Sequence, residues 1–231
     1  MHPLLKKLDC WCKTQKNIRL VVGPPASDKT IDEIPKRLEK KFRNQLPVPF
    51  KAESFLIPES YRSFLKQHSQ VQLEFLSEGK WQIYEPFQIF SPSQVEEGHS
   101  FCYASLDERL IDTSFLIAFA TAGFKVEGSR WCLVTDPKLR SKPNELPILL
   151  EDNDFECTVA KFADTGEWVP GANNPIELSS FEEWLEAIVL TIVTRKFKYN
   201  YRDDAVPNTL LVWKSKGMFK KLRAKGVCRV L

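Results

Sequence analysis

One stretch near the carboxy end limits the folds open to this chain more than any other. Between Ser180 and Val193, the apolar residues Phe181, Trp184, Leu185, Ile188, Val189 and Ile192 fall at i, i+3, i+4, i+7, i+8 and i+11. That spacing lays them along one face of a helix with 3.6 residues per turn. Ser180 can accept a hydrogen bond from the Glu183 backbone N–H while the Glu183 carboxylate returns to the Ser180 N–H, a reciprocal capping box that fixes where the helix starts. A stripe this wide must cover something, so the rest of the chain has to supply an apolar surface.

The surface is announced by a change of period. Up to residue 68 the pattern is mainly helical. Residues 3–16 predict a short helix, and Ile18 to Val22 reads as a strand stopped by Gly23, Pro24 and Pro25. Thr30 and Glu33 offer a second capping box for a helix bearing Ile34, Leu38, Lys41 and Phe42, with a basic outer face, that ends before Pro47. Pro58 takes a favoured first-turn position in a helix that puts Tyr61, Phe64, Leu65 and His68 on one face. His68, at the end of that helix, is read as a partner of the terminal carbonyls rather than as a catalytic group.

From Val71 the period becomes 2. Val71, Leu73 and Phe75 alternate with polar residues, Ser77 to Lys80 makes a turn, and Trp81 and Ile83 alternate back, which predicts a hairpin. Phe87 to Phe90 reads as a further short strand, Ser91 to Glu97 as a helix start, and Phe115 to Ala120 as a buried central strand. Gly123 turns the chain towards a strand at Ser129 to Val134. Pro147 to Leu150 and Cys157 to Phe162 flank an acidic turn and predict a second hairpin, and residues 168–175 cross irregularly to the Ser180 helix. Helices, a meander of strands and a closing helix define an α+β protein, a mainly antiparallel sheet with helices packed on it.

With 231 residues, 43% of them apolar, the chain is long enough to bury a large core. The six cysteines follow no regular framework, which points to reduced thiols and a cytoplasmic protein. Cys10 and Cys12 are the only close pair and lack the further ligands a metal site needs. Gly23 to Thr30 has a faint likeness to a phosphate-binding loop, but Pro24 and Pro25 remove two of the backbone donors such a loop uses. No metal or cofactor is expected. The amino terminus has too short an apolar run for a signal peptide, and no stretch reaches the length of a transmembrane helix.

The net charge of +3 conceals an asymmetry. From Arg195 to Leu231 there are eleven Lys or Arg against two Asp, a charge of +9, and the preceding 194 residues carry −6. The division read from the sequence is an N-terminal extension at 1–29, an α+β domain at 30–194 and a basic appendage at 195–231.

Taken in order, these pieces resemble the SUKH superfamily, the group of the yeast cell-wall synthesis regulators and many bacterial immunity proteins. The resemblance is carried by Leu46 and Pro47, the proline-led helix from Ile57 with Tyr61, Phe64 and Leu65, and Phe87 to Pro92 followed by Val95, Glu96 and Glu97. The strand from Phe115 towards Gly123 and the closing run Ser179, Ser180, Phe181, Trp184 and Leu185 complete it. It covers roughly residues 30–193. The resemblance implies a SUKH-like fold and a binding module: an immunity or regulatory protein that neutralises a partner protein, for instance a toxin such as a nuclease.

Three histidines scattered along the chain, with no nucleophile turn and no dense ligand grouping, do not make a recognisable active site, and no catalytic residue is assigned. A candidate partner surface is the acidic second hairpin, Glu151, Asp152, Asp154 and Glu156, with Trp168 as an aromatic anchor for a basic partner. The alternative is anion or nucleic-acid binding by the tail through Arg195, Lys196, Lys198, Arg202, Lys220, Lys221 and Arg223, where Phe197, Tyr199 and Tyr201 add stacking faces.

Overall fold

A computed structural model describes residues 1–43, 51–97, 105–106, 109–121, 130–136, 140, 142–151, 161–167, 169 and 178–194. The sequence alternation at 71–83 folds into a tight hairpin. β2 (Val71–Ser77) and β3 (Lys80–Ile89) are joined by Glu78 and Gly79, both at positive φ (51° and 77°), the conformation a two-residue hairpin turn requires. β3 absorbs both Trp81 to Ile83 and Phe87 to Ile89, which were read as separate strands. The pairing shifts register between Gln72 and Glu74, and that irregularity breaks the alternation in the sequence.

β1 (Ile18–Val22) pairs with β2, β6 (Leu116–Thr121) with β3, β7 (Arg130–Val134) with β6, and β8 (Ile148–Glu151) with β7. The result is a six-stranded antiparallel sheet in the order β1-β2-β3-β6-β7-β8. The run from Phe115 is central and buried, as its unbroken hydrophobicity predicts. Its register on β7 shifts between Ala118 and Ala120, so Phe119 is one extra residue in β6, a bulge, and its carbonyl accepts from the Phe90 N–H.

A smaller sheet consists of β4 (Ser105–Leu106), β5 (Arg109–Asp112) and β9 (Lys161–Phe162). The second hairpin expected from the sequence is not the pairing these strands make. Ile148 to Glu151 pairs with β7 in the large sheet, whereas Lys161 and Phe162 pair with β5 in the small one. Two apolar runs flanking a polar turn satisfy a hairpin pattern, yet each strand has a better-matched partner elsewhere.

Among the described residues the helices are α1 (Pro3–Cys12), α2 (Asp28–Asp32), α3 (Ile34–Phe42), α4 (Glu59–Leu65), α5 (Pro92–Glu97) and α6 (Phe181–Thr194). α4 and α6 meet the sheet through an aromatic cluster. Tyr61 lies 5.7 Å from Phe119 and 5.0 Å from Phe181, and Trp184 stands edge-on to Phe119 at 4.7 Å, a geometry in which ring edges meet ring faces favourably. Residues 1–29, read as an extension, supply β1 to the edge of the sheet and the fully buried Leu5 and Leu8 to the same core.

The caps differ in detail from the sequence reading. The Glu183 N–H donates to Ser180 Oγ at 3.4 Å, but the Glu183 carboxylate accepts from the Ser179 N–H at 3.1 Å, one residue earlier than expected. Burial alone would raise the Glu183 carboxyl; hydrogen bonds from Ser179 and Lys142 outweigh it and hold the group below its usual range. The second capping box does not form: Ser27 caps α2, its Oγ accepting from the Thr30 N–H at 3.1 Å, and α3, with Glu33 at its N-cap, has no side-chain cap. α4 is capped from a distance, the Glu145 carboxylate accepting from the Ser60 N–H (2.9 Å) and hydroxyl (2.6 Å).

The Tyr61 hydroxyl is fully buried and finds no hydrogen-bond partner among the described residues. An unsatisfied buried hydroxyl costs about 1–3 kcal/mol. Tyr61→Phe is therefore expected to raise stability by about 1 kcal/mol in urea unfolding; a loss instead would mean that the hydroxyl is bonded.

His68 is buried, but its role is not the one read from the sequence. Its Nε2 accepts from the His2 N–H at 3.1 Å, while His2 Nδ1 accepts from the Leu4 N–H and His2 Nε2 lies 3.4 Å from Glu182. The start of α1 is thereby tied to α4 and α6. Accepting at Nε2 requires that nitrogen to be unprotonated, and burial, with the nearby N-terminal charge and His2, pushes the His68 pKa below 6.5. A lowered histidine pKa contributes stability that is present above the unfolded value and is lost as pH falls through the folded one. Stability should thus decline in urea titrations as the pH falls below the ordinary histidine value. His68→Gln, which keeps an acceptor but does not titrate, should flatten that decline, and an unchanged slope would assign it to other groups.

Candidate protein-binding surface

The hairpin register decides which residues face away from the helices. Ile18, Leu20 and Val22 share a face with Phe75, Leu73 and Val71, and the last three are buried. Arg19 and Val21 therefore point the other way, with Gln72, Glu74 and Leu76. Across β2, Trp81 pairs with Leu76 and Ile83 with Glu74, so both lie on this outer face, opposite to Val71, Leu73 and Phe75.

The outer face exposes Leu76, Trp81 and Ile83 at 39%, 38% and 44%, three large apolar side chains on two adjacent strands. The other exposed large apolar residues among those described, Met1, Leu56 and Leu110, lie on three different segments. Beside the patch runs a polar ladder. Gln70 Nε2 donates to Gln72 Oε1 and Gln72 Nε2 to Glu74 Oε1, both at 2.8 Å, and Glu74 Oε2 accepts from two Arg19 nitrogens at 2.7 and 2.6 Å. The guanidinium carbon sits 4.2 Å from the centre of the Trp81 ring, within cation–π range.

The chemistry of this face suits a contact surface. Arg19 is clamped between a carboxylate and an indole, so little side-chain freedom remains to be lost when a partner arrives. Tryptophan and arginine are also the residues most enriched among those that dominate binding energy. The two-residue turn could have revealed the patch from sequence: once Glu78 and Gly79 are its tip, Leu76 must oppose Trp81 and Glu74 must oppose Ile83.

Of the residues singled out from the sequence, Glu151 ends β8, at the opposite edge of the large sheet from β1, in register with Arg130. Asp152, Asp154, Glu156 and Trp168, and the tail residues Arg195, Lys196, Lys198, Arg202, Lys220, Lys221 and Arg223, lie outside the described residues. Cys10 and Cys12 separate on α1: Cys10 is exposed, while Cys12 is buried and its thiol is pushed up to about 12 by burial first and Asp9 second. Gly23 serves packing, since a Cβ there would meet Ser69 Oγ at 2.8 Å. Among the described residues no group of three His, Cys, Asp or Glu is placed to hold a metal, and no helix is long and apolar enough to cross a membrane.

No family model matches the chain, and no curated protein matches it.

Proposed function

We propose that this protein is a non-enzymatic binding module that grips a partner protein through the outer face of β1, β2 and β3. The observation that carries the reading is Trp81, flanked by Leu76 and Ile83 and covered by an Arg19 fixed on Glu74. Hydrophobic anchors beside a held charge are what a specific protein contact uses. The SUKH resemblance narrows the role to immunity or regulation, in which the bound protein is neutralised or controlled, and a toxin such as a nuclease is the partner it suggests. A cytoplasmic location accords with this role and with the free thiols of Cys10, Cys12 and Cys132.

The test is affinity capture of the tagged protein from its native cells with nuclease treatment, using wild type and Trp81→Ala in parallel. One stoichiometric protein should survive the nuclease, and Trp81→Ala should weaken it by about 2 kcal/mol, close to thirtyfold. A partner retained at full affinity by Trp81→Ala would remove this face from the account. Recovery of nucleic acid alone from a parallel capture without nuclease would remove the protein-binding reading.

A further inference from the structure

We propose that the outer face of α3 is a second, independent contact surface that docks the phosphate backbone of a nucleic acid. From Lys36 to Arg43 the helix carries five Lys or Arg against the single carboxylate of Glu39. Ile34, Leu38 and Phe42 are buried and fix its orientation, so Lys36, Lys40, Lys41 and Arg43 are exposed together while Arg37 is half-buried and donates to the Thr30 carbonyl.

Asp28 and Asp32 on the neighbouring α2 are taken up by Arg62 and Lys66 of α4, and Lys66 beside Asp28 holds that carboxyl below its usual range. They do not neutralise α3. Lys36 and Lys40 make no ion pair among the described residues, and the Arg43 to Glu39 contact is long, at 4.0 Å.

At 1.5 Å of rise per residue, Lys36, Lys40 and Arg43 stand about 6 and then about 4.5 Å apart along the helix axis, a row of cations on one side. None of the exposed large apolar residues among those described lies on α3 itself. A protein contact without an anchor is poor, and a base-stacking contact needs exposed rings. Contact with phosphates needs neither, and it gives affinity without sequence preference.

The test is fluorescence anisotropy with a labelled 20-base-pair DNA duplex and the full chain at several salt concentrations, comparing wild type with K36E/K40E/R43E and with the neutral K36Q/K40Q/R43Q. Thermal melts check that both variants fold. Each phosphate contact contributes about 0.9 to the slope of log affinity against log salt. Losing up to three contacts should therefore lower the slope by roughly two to three and weaken binding at 50 mM salt by at least about tenfold. Undiminished affinity and slope in the neutral variant would overturn the proposal. So would binding that disappears only when Lys220, Lys221 and Arg223 are reversed, which assigns it to the tail, or binding of polyglutamate but not of the duplex, which assigns the face to an acidic protein. Failure here leaves the sheet face untouched, because the two surfaces share no residue.

Discussion

Trp184→Ala should cost about 3–5 kcal/mol, a large part of the 5–15 kcal/mol that typically separates folded from unfolded chains. The indole is buried between the sheet and its own helix, 4.7 Å from Phe119, 5.5 Å from Phe181 and 6.2 Å from Trp131. Truncation leaves a cavity at the point where α6 closes on β6 and β7, and the bulge at Phe119 cannot follow the missing ring without giving up its bond to Phe90. Trp184→Phe should be far milder, about 1 kcal/mol, because Trp184 Nε1 makes no hydrogen bond among the described residues and none is lost. Urea unfolding followed by circular dichroism separates the two. A loss below about 1 kcal/mol for the alanine variant would mean that α6 does not close this core.

The second large effect is expected at the junction of the two sheets. Asp136, just after β7, accepts a hydrogen bond from Lys161 Nζ at the start of β9; their side chains are only 8% and 18% exposed. The ammonium also lies 4.9 Å from the Phe115 ring. Removing the carboxylate alone leaves a largely buried cation with its main partner gone, so Asp136→Ala should cost about 3 kcal/mol. Replacing both, as D136L/K161M, should recover most of that loss, since an apolar pair of similar volume avoids the desolvation cost of two ions. A double-mutant cycle measures the coupling; purely additive single effects would show that the pair contributes nothing to holding the sheets together.

How much was legible in the sequence follows from how local each signal is. α6, α4 and the β2–β3 turn were readable because a 3.6 or 2.0 period and a Gly-containing turn are written within a few residues. The caps were readable only to within a few residues, because neighbouring groups at a helix start offer alternative partners: Ser27 caps α2 where Thr30 was expected to cap α3, and the Glu183 carboxylate takes the Ser179 N–H rather than that of Ser180. The β8 and β9 assignment was not readable, since which strand pairs with which depends on sheet neighbours far along the chain. His68 was misread for the same reason: its partner, His2, is sixty-six residues away. The acidic hairpin drew attention as a cluster of charge in the sequence, whereas the Trp81 surface depends on register, which sorts alternating residues onto faces only after the pairing is known.

The central claim is that a protein partner seats on the outer face of β1, β2 and β3. Amide hydrogen exchange of the full chain, alone and with the captured partner, tests it most directly. Slowed exchange is expected, centred on residues 18–22 and 71–83. Slowing confined to 151–156 or to 195–231, with those strands unchanged, would contradict it and return the contact to the acidic turn or to the basic tail.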